Sequence, residues 1–239
     1  MSSPRIEVHD DASALAAAVA GALVSRLAQA QSRGEQPHVA LTGGTIADAV
    51  HHELARLASG DPGVDWSKVD FWWGDERFVP GGSSERNAGA ARAAFLDPVG
   101  AEASRVHEIA SSDDFETVAE AAEAYGRELR THGTEAFEVV MLGVGPDGHV
   151  ASLFPGQPTL DVDDEVAAPV TDSPKPPPER VTLTLPALNR TRATWLVVSG
   201  SEKAEAVARA LAGDDLPAAR VHGTEETVWF LDREAASEL

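Results

Sequence analysis

The chain of 239 residues contains no cysteine. Disulfides, thiolate nucleophiles and cysteine-ligated zinc are excluded, and a cytoplasmic address is expected. Cations are scarce too. Nineteen Lys and Arg stand against 39 Asp and Glu, a formal net charge of −20. DNA and anionic membrane both require a cationic face, so neither is an expected partner. A small anionic ligand remains open, because a few local cations and backbone N–H groups suffice for it. Only three lysines occur: Lys68, Lys175 and Lys203. No apolar run approaches the ~20 residues of a membrane span. The start, Met1-Ser2-Ser3-Pro4-Arg5, meets Asp10 and Asp11 before any apolar core region, so no signal peptide is expected.

What is present is ordinary globular material: 43% hydrophobic and 24% charged residues. That balance excludes global disorder, collagen and coiled coil. A chain this long buries roughly 70–75% of its unfolded surface and needs no staple. One domain spanning 1–239 is expected, without internal repeats.

Short apolar strands alternate with helices. Ile6–Val8 reads as an edge strand, and Asp10 as the cap of an Ala-rich helix to about Gln31. Val39–Leu41 is a strand, followed by a helix to about Ala58. Val69–Trp73 is the next strand, and a helix runs from about Glu85 to Phe95. Arg105–Ile109 reads as a short strand, and Asp113 or Asp114 as the cap of a helix to about Arg130. Strands follow at Phe137–Leu142, Val181–Leu185, Ala193–Val198 and Thr227–Leu231, with a helix from Lys203 to about Ala212. Such alternation predicts an α/β fold: a Rossmann-like, mostly parallel sheet with helices on both faces. The proline-rich stretch from Pro155 to Arg180 reads as a long ordered loop rather than a linker, because strands resume at once.

Ligands of open parallel sheets bind beyond the carboxyl ends of the strands. Four distinctive segments fall there: Thr42–Thr45, Gly74–Arg77, Gly143–His149 and Ser199–Lys203. In Thr42-Gly43-Gly44-Thr45, the glycines allow close approach, and hydroxyls and helix N–H groups can hold phosphate; a plain tight turn is the alternative. Gly143-Val144-Gly145-Pro146-Asp147-Gly148 matches a dinucleotide fingerprint, but Pro155 and Gly156 follow too soon for the long helix it requires. Asp161, Asp163 and Asp164 near the ribose position look accidental. His149 directly follows this loop, two residues after Asp147. A carboxylate there can fix the imidazole tautomer and raise its basicity. His51-His52-Glu53 lacks zinc-protease spacing, and the nucleophile elbow G-x-S-x-G does not occur. Asp75, Glu76 and Arg77 follow an aromatic strand, and Arg suits forked phosphate contacts. Lys203 opens a helix against its dipole, which a bound anion would offset. Arg180 is a further candidate cation.

Three segments resemble hallmarks of the 6-phosphogluconolactonases. They are Trp73-Gly74-Asp75-Glu76-Arg77-Phe78-Val79-Pro80, the run Leu142–Gly156 containing Gly-Pro-Asp-Gly-His, and Ser173-Pro174-Lys175-Pro176-Pro177-Pro178-Glu179-Arg180-Val181-Thr182-Leu183-Thr184. Ser84 and Asn87 also fit, and the motifs keep family order from about residue 41 to 203. One departure is visible. The first turn often reads Ser-Gly-Gly-Ser-Thr-Pro in the family; here it is Thr42-Gly43-Gly44-Thr45-Ile46-Ala47, so one hydroxyl is replaced by Ile46.

The resemblance implies the fold shared with glucosamine-6-phosphate deaminase and ribose-5-phosphate isomerase. It implies hydrolysis of 6-phospho-D-glucono-1,5-lactone in the oxidative pentose phosphate pathway. His149 would be the general base, Asp147 its orienting partner, and Arg77 or backbone N–H groups the oxyanion donors. Gly43, Gly44, Thr45, Asp75, Arg77, Arg180 and Lys203 would bind the substrate and its phosphate. Neither metal nor organic cofactor is implied, and a monomer or weak homo-oligomer is expected. Two alternatives share the fold: a sugar-phosphate isomerase or deaminase, and a non-catalytic sugar-phosphate sensor.

Overall fold

The computed structural model describes residues 3–60 and 63–239, so Met1 and Ser2 of the expected non-signal start lie outside the described residues. In chain order the elements are β1 (Arg5–His9), α1 (Ala12–Ser32), β2 (His38–Leu41), α2 (Thr45–Ala58), β3 (Asp70–Trp73), β4 (Asp75–Arg77), α3 (Asn87–Ala91), α4 (Val118–His132), β5 (Phe137–Leu142), β6 (Ala167–Val170), β7 (Arg180–Leu183), α5 (Leu185–Leu188), β8 (Thr191–Val198), α6 (Ala204–Ala212), α7 (Pro217–Arg220) and β9 (Glu226–Asp232).

Six strands form one sheet in the order β1-β9-β8-β5-β2-β3. Every pairing in it is parallel. Strands β3 and β5 are buried along their whole length, which is why they read as continuous apolar runs rather than alternating ones. Strand β1 lies at an edge and leaves Ile6 and Val8 exposed. From β2 the chain steps outward to β3, then returns to β5 beside β2 and continues through β8 to β9. The order therefore reverses between β2 and β5, where open α/β sheets place their ligands.

Helix α1 presents Leu15, Val19, Leu23 and Leu27, all fully buried, at every fourth position. It is the one helix among the described residues with the length and hydropathy of a membrane span, and it packs on α2 and β9. Its cap is Asp11, not Asp10: Asp11 Oδ1 accepts the Ala14 N–H at 2.9 Å. Asp10 instead pairs with Arg233.

Three further expectations give way to tertiary contacts. Helix α4 starts at the capping box of Thr117 and Glu120. Asp113 is taken by the Gly81 N–H, and Asp114 by the N–H and hydroxyl of Ser111. Arg105–Ile109 makes no strand; its backbone pairs with β3 only through a single bridge, Phe71 to Val106, while Arg105 and His107 reach Asp70 with their side chains. Residues 75–77, expected as a segment beyond the end of a strand, are themselves a strand. They form β4, the edge of a second, antiparallel sheet ordered β4-β7-β6. Strand β6 lies inside the proline-rich stretch, where Pro169 is exposed on an edge strand that can spare its N–H.

Candidate active site

At the switch point, β2 ends in Thr42-Gly43-Gly44 and β5 ends in Gly143-Val144-Gly145. Gly44 adopts φ +100° and precedes α2 without any side-chain cap. The first helical bond runs from the Asp48 N–H to the Gly44 carbonyl, so the N–H groups of Thr45, Ile46 and Ala47 have no intrahelical acceptor. The helix dipole adds positive potential there. Gly43 is obligatory for another reason. A Cβ at that position would lie 1.9 Å from Asn87 Oδ1.

Asn87 connects this turn to β4. Its Oδ1 accepts Arg77 Nη1 at 2.5 Å, its Nδ2 donates to the Asp75 carbonyl at 3.1 Å, and Arg77 Nη1 also reaches the Glu85 carbonyl at 2.8 Å. Among the described residues, Arg77 Nε is buried without a partner. Glu76, fully buried, accepts the backbone N–H groups of Arg77, Asn87 and Ala88 at 2.8–2.9 Å and so seats the start of α3. Burial raises its pKa against those N–H groups and the Arg86 guanidinium. Asp75 is buried and accepts the Ser152 hydroxyl at 2.6 Å.

The β5 loop closes tightly through Gly145 N–H to the His149 carbonyl and Gly148 N–H to the Gly145 carbonyl, both 2.9 Å. No long helix follows it. A Cβ on Gly145 would lie 2.0 Å from His149 Cε1, so glycine there is the floor on which the imidazole rests. His149 Nδ1 meets Asp147 Oδ1 at 2.5 Å. Burial pushes the Asp147 carboxyl up, but the His149 hydrogen bond and charge outweigh it and hold it at about 2. An ionised carboxylate only accepts, so the proton sits on Nδ1 and Nε2 carries the free lone pair. Phe154 backs the ring at 4.5 Å between centroids. Ala151, just beyond, holds φ +49° between buried Val150 and Leu153, a left-handed conformation that costs energy for a residue with a Cβ.

Arg180 is buried in β7. Its Nε and Nη2 donate to the carbonyls of Pro177, Lys175 and Pro176 at 3.0–3.2 Å. Three of its five N–H groups thus clamp the proline loop, leaving Nη1 for a ligand. That clamp delivers Lys175, which sequence reasoning left out of the site. Burial pushes the Lys175 ammonium down, Asp147 pulls it up, and Lys203 and Arg180 push it down again, so all four groups share one neighbourhood. The available signal was rarity: Lys175 is one of three lysines and shares the Arg180 segment. Lys203 sits at the cap of α6, with Nζ 3.1 Å from Glu202 Oε1.

These groups line one cleft of about 560 Å³. It holds Gly43, Gly44, Thr45, Asp75, Arg77, His149, Arg180 and Lys203, joined by Asn87, Lys175 and Glu202. Asp147 stands behind His149. Four cations and two carboxylates line the walls, within a chain of net charge −20. Among the described residues, no group of three or more His, Asp or Glu is placed to hold a metal ion.

A wholly parallel sheet, a free helix N-terminus at its switch point and a paired imidazole across the cleft define an α/β protein built to act on a small anion. Residues 10–229 match the family model of glucosamine-6-phosphate isomerases/6-phosphogluconolactonase. The 6-phosphogluconolactonase of Streptomyces coelicolor is 43% identical over 99% of this chain and 95% of its own length. That of Mycobacterium tuberculosis is 42% identical over 99% of both. The chain belongs to the 6-phosphogluconolactonase family. The crystal structure of the Thermotoga maritima 6-phosphogluconolactonase matches with TM-score 0.85 at 28% identity, over 96% of this chain and 99% of that one. A monomeric glucosamine-6-phosphate deaminase shares the fold, with TM-score 0.83 at 19% identity over 98% of this chain and all of that one.

Proposed function

We propose that this chain hydrolyses 6-phospho-D-glucono-1,5-lactone to 6-phospho-D-gluconate, the lactone-opening step of the oxidative pentose phosphate pathway, in the cytoplasm. The observation that carries the proposal is the Asp147–His149 pair laid over Gly145 in a cation-lined cleft. Nε2 of His149 takes a proton from water as its oxygen attacks the C1 carbonyl. The tetrahedral intermediate then collapses, the bond from C1 to the ring oxygen breaks, and His149 returns the proton to that oxygen. Asp147 stabilises the imidazolium formed in between.

The phosphate belongs at the N-terminus of α2, with Gly44, Thr45 and Lys203 around it. Asn87 accepts from Arg77 and lies against Gly43, which supports assigning Arg77 to the phosphate turn and the oxyanion to backbone N–H groups. Asp75 faces the same cleft and is available to the sugar hydroxyls. The reaction as written needs neither a metal nor an organic cofactor, and all its groups come from one chain.

Acid release from freshly generated lactone, corrected for spontaneous hydrolysis, tests the assignment, with isomerisation and deamination assayed alongside. His149→Ala should lower kcat by about 10²–10⁴-fold. Turnover near that of the parent enzyme would remove His149 from the mechanism.

A further inference from the structure

Glu202 is a carboxylate in a cleft meant for an anion, and the proposed function does not use it. Its Oε1 lies 3.1 Å from Lys203 Nζ. Its Oε2 lies over Gly200, 2.4 Å from where a Cβ would stand. Its own backbone N–H, together with Lys203, keeps its carboxyl below the usual range. Two other donors of this turn are occupied as well: the Ser199 hydroxyl and the Gly200 N–H both go to Asp232, at 2.5 and 3.2 Å. Lys203, at the start of its helix, therefore has a counter-anion within its own turn.

We propose that Glu202 is an internal competitor which the substrate's phosphate displaces from Lys203, and that it sets how tightly the cleft holds phosphate. This inference rests on the reading of Lys203 as a phosphate contact. One ammonium cannot hold a carboxylate and a phosphate dianion side by side without repulsion between the two anions. The Glu202 side chain is 64% exposed, so it can swing into water and lose only an exposed ion pair. Such pairs are weak, so the competition weakens phosphate binding by about two- to fivefold. A lower hold on phosphate acts equally on substrate and product, and so favours product release.

The probe is inorganic phosphate, measured by calorimetry and as a competitive inhibitor of lactone hydrolysis. Glu202→Gln keeps the size but removes the charge; Glu202→Ala removes both. Each should tighten phosphate about two- to fivefold, and the gain should shrink as ionic strength rises. The KM for the phosphorylated lactone should fall by the same factor, while that for unphosphorylated glucono-1,5-lactone should not follow. In a Lys203→Ala background, Glu202→Gln should bring no gain. An equal gain there would show a general field effect and overturn displacement. Weaker phosphate binding in Lys203→Ala with no change in Glu202→Gln would overturn the competitor alone. Unchanged binding in Lys203→Ala would overturn both the competitor and the phosphate role of Lys203.

Discussion

The two glycine turns at the ends of β2 and β8 have nearly the same backbone and opposite states. Gly44 stands at φ +100°, ψ 169°, and Gly200 at φ +100°, ψ 144°. After β2, the N–H groups that open α2 are free, and no carboxylate of the same turn reaches them. After β8, Asp232 takes the Ser199 hydroxyl and the Gly200 N–H, and Glu202 pairs with Lys203. Backbone shape alone therefore does not make an anion site. What counts is whether the protein has left the donors unspent.

The largest expected contrast between the two sides is in acid. Helix α2 carries His51, 1% exposed, stacked on Phe95, with neither ring nitrogen partnered. The buried residues of α6 are all aliphatic. Burial, helped by nearby His52, pushes the His51 pKa down from 6.5 to about 4. The unfolded chain therefore takes up this proton first. The stabilising contribution of neutral His51 is complete above pH ~6.5 and is lost as pH falls through about 4. The loss amounts to about 3 kcal/mol. Urea midpoints for the parent and His51→Leu between pH 7 and 4 measure it. The variant should lose that part of the slope; parallel pH curves would show that His51 binds its proton equally in both states.

The contrast between the turns also explains what could be read from sequence. Strands β2, β3, β5, β8 and β9 were legible because burial on both faces writes an apolar run. Three of the four segments expected at the strand ends lie as expected, and His149, Asp147 and Gly44 follow from their local motifs. The rest depended on contacts between distant residues. Asp113 and Asp114 looked like caps until Gly81 and Ser111 claimed them. Strand β6 is invisible in a proline run because β7 alone defines it. Lys175 enters the cleft only through the Arg180 clamp. Donors spent on Asp232, 32 residues away, could not be seen in Ser199-Gly200-Ser201.

A matched pair of substitutions isolates the donors from the strain. Gly44→Ala and Gly200→Ala force the same unfavourable φ and should each cost about 1–3 kcal/mol of stability. Space does not separate them: nothing lies near a Cβ at 44, and at 200 only the flexible end of Glu202 does. Activity should separate them. Misaligning one donor to a charged phosphate costs about 10–100-fold in kcat/KM, so Gly44→Ala should lose that much. Gly200→Ala should stay within about threefold, because the Gly200 N–H and the Ser199 hydroxyl are already spent on Asp232. Equal losses of activity at equal loss of Tm would mean that both turns hold substrate.

A smaller loss than that of Gly44→Ala is expected at Lys203, the group by which the β8 turn is proposed to reach the phosphate. A charge-assisted bond to phosphate is worth about 10–100-fold in kcat/KM. Lys203 should fall at the low end, about tenfold, because removing it also removes the anchor of Glu202 and with it the competition. The loss should appear in KM for the phosphorylated lactone. The phosphate is at C6, remote from the reacting C1, so its binding energy positions the ring rather than breaks the bond. Unphosphorylated glucono-1,5-lactone never makes the contact, and its kcat/KM should hardly change in Lys203→Ala. If both substrates lose equally, Lys203 acts at the carbonyl, and the β8 turn belongs to the chemistry rather than to the phosphate.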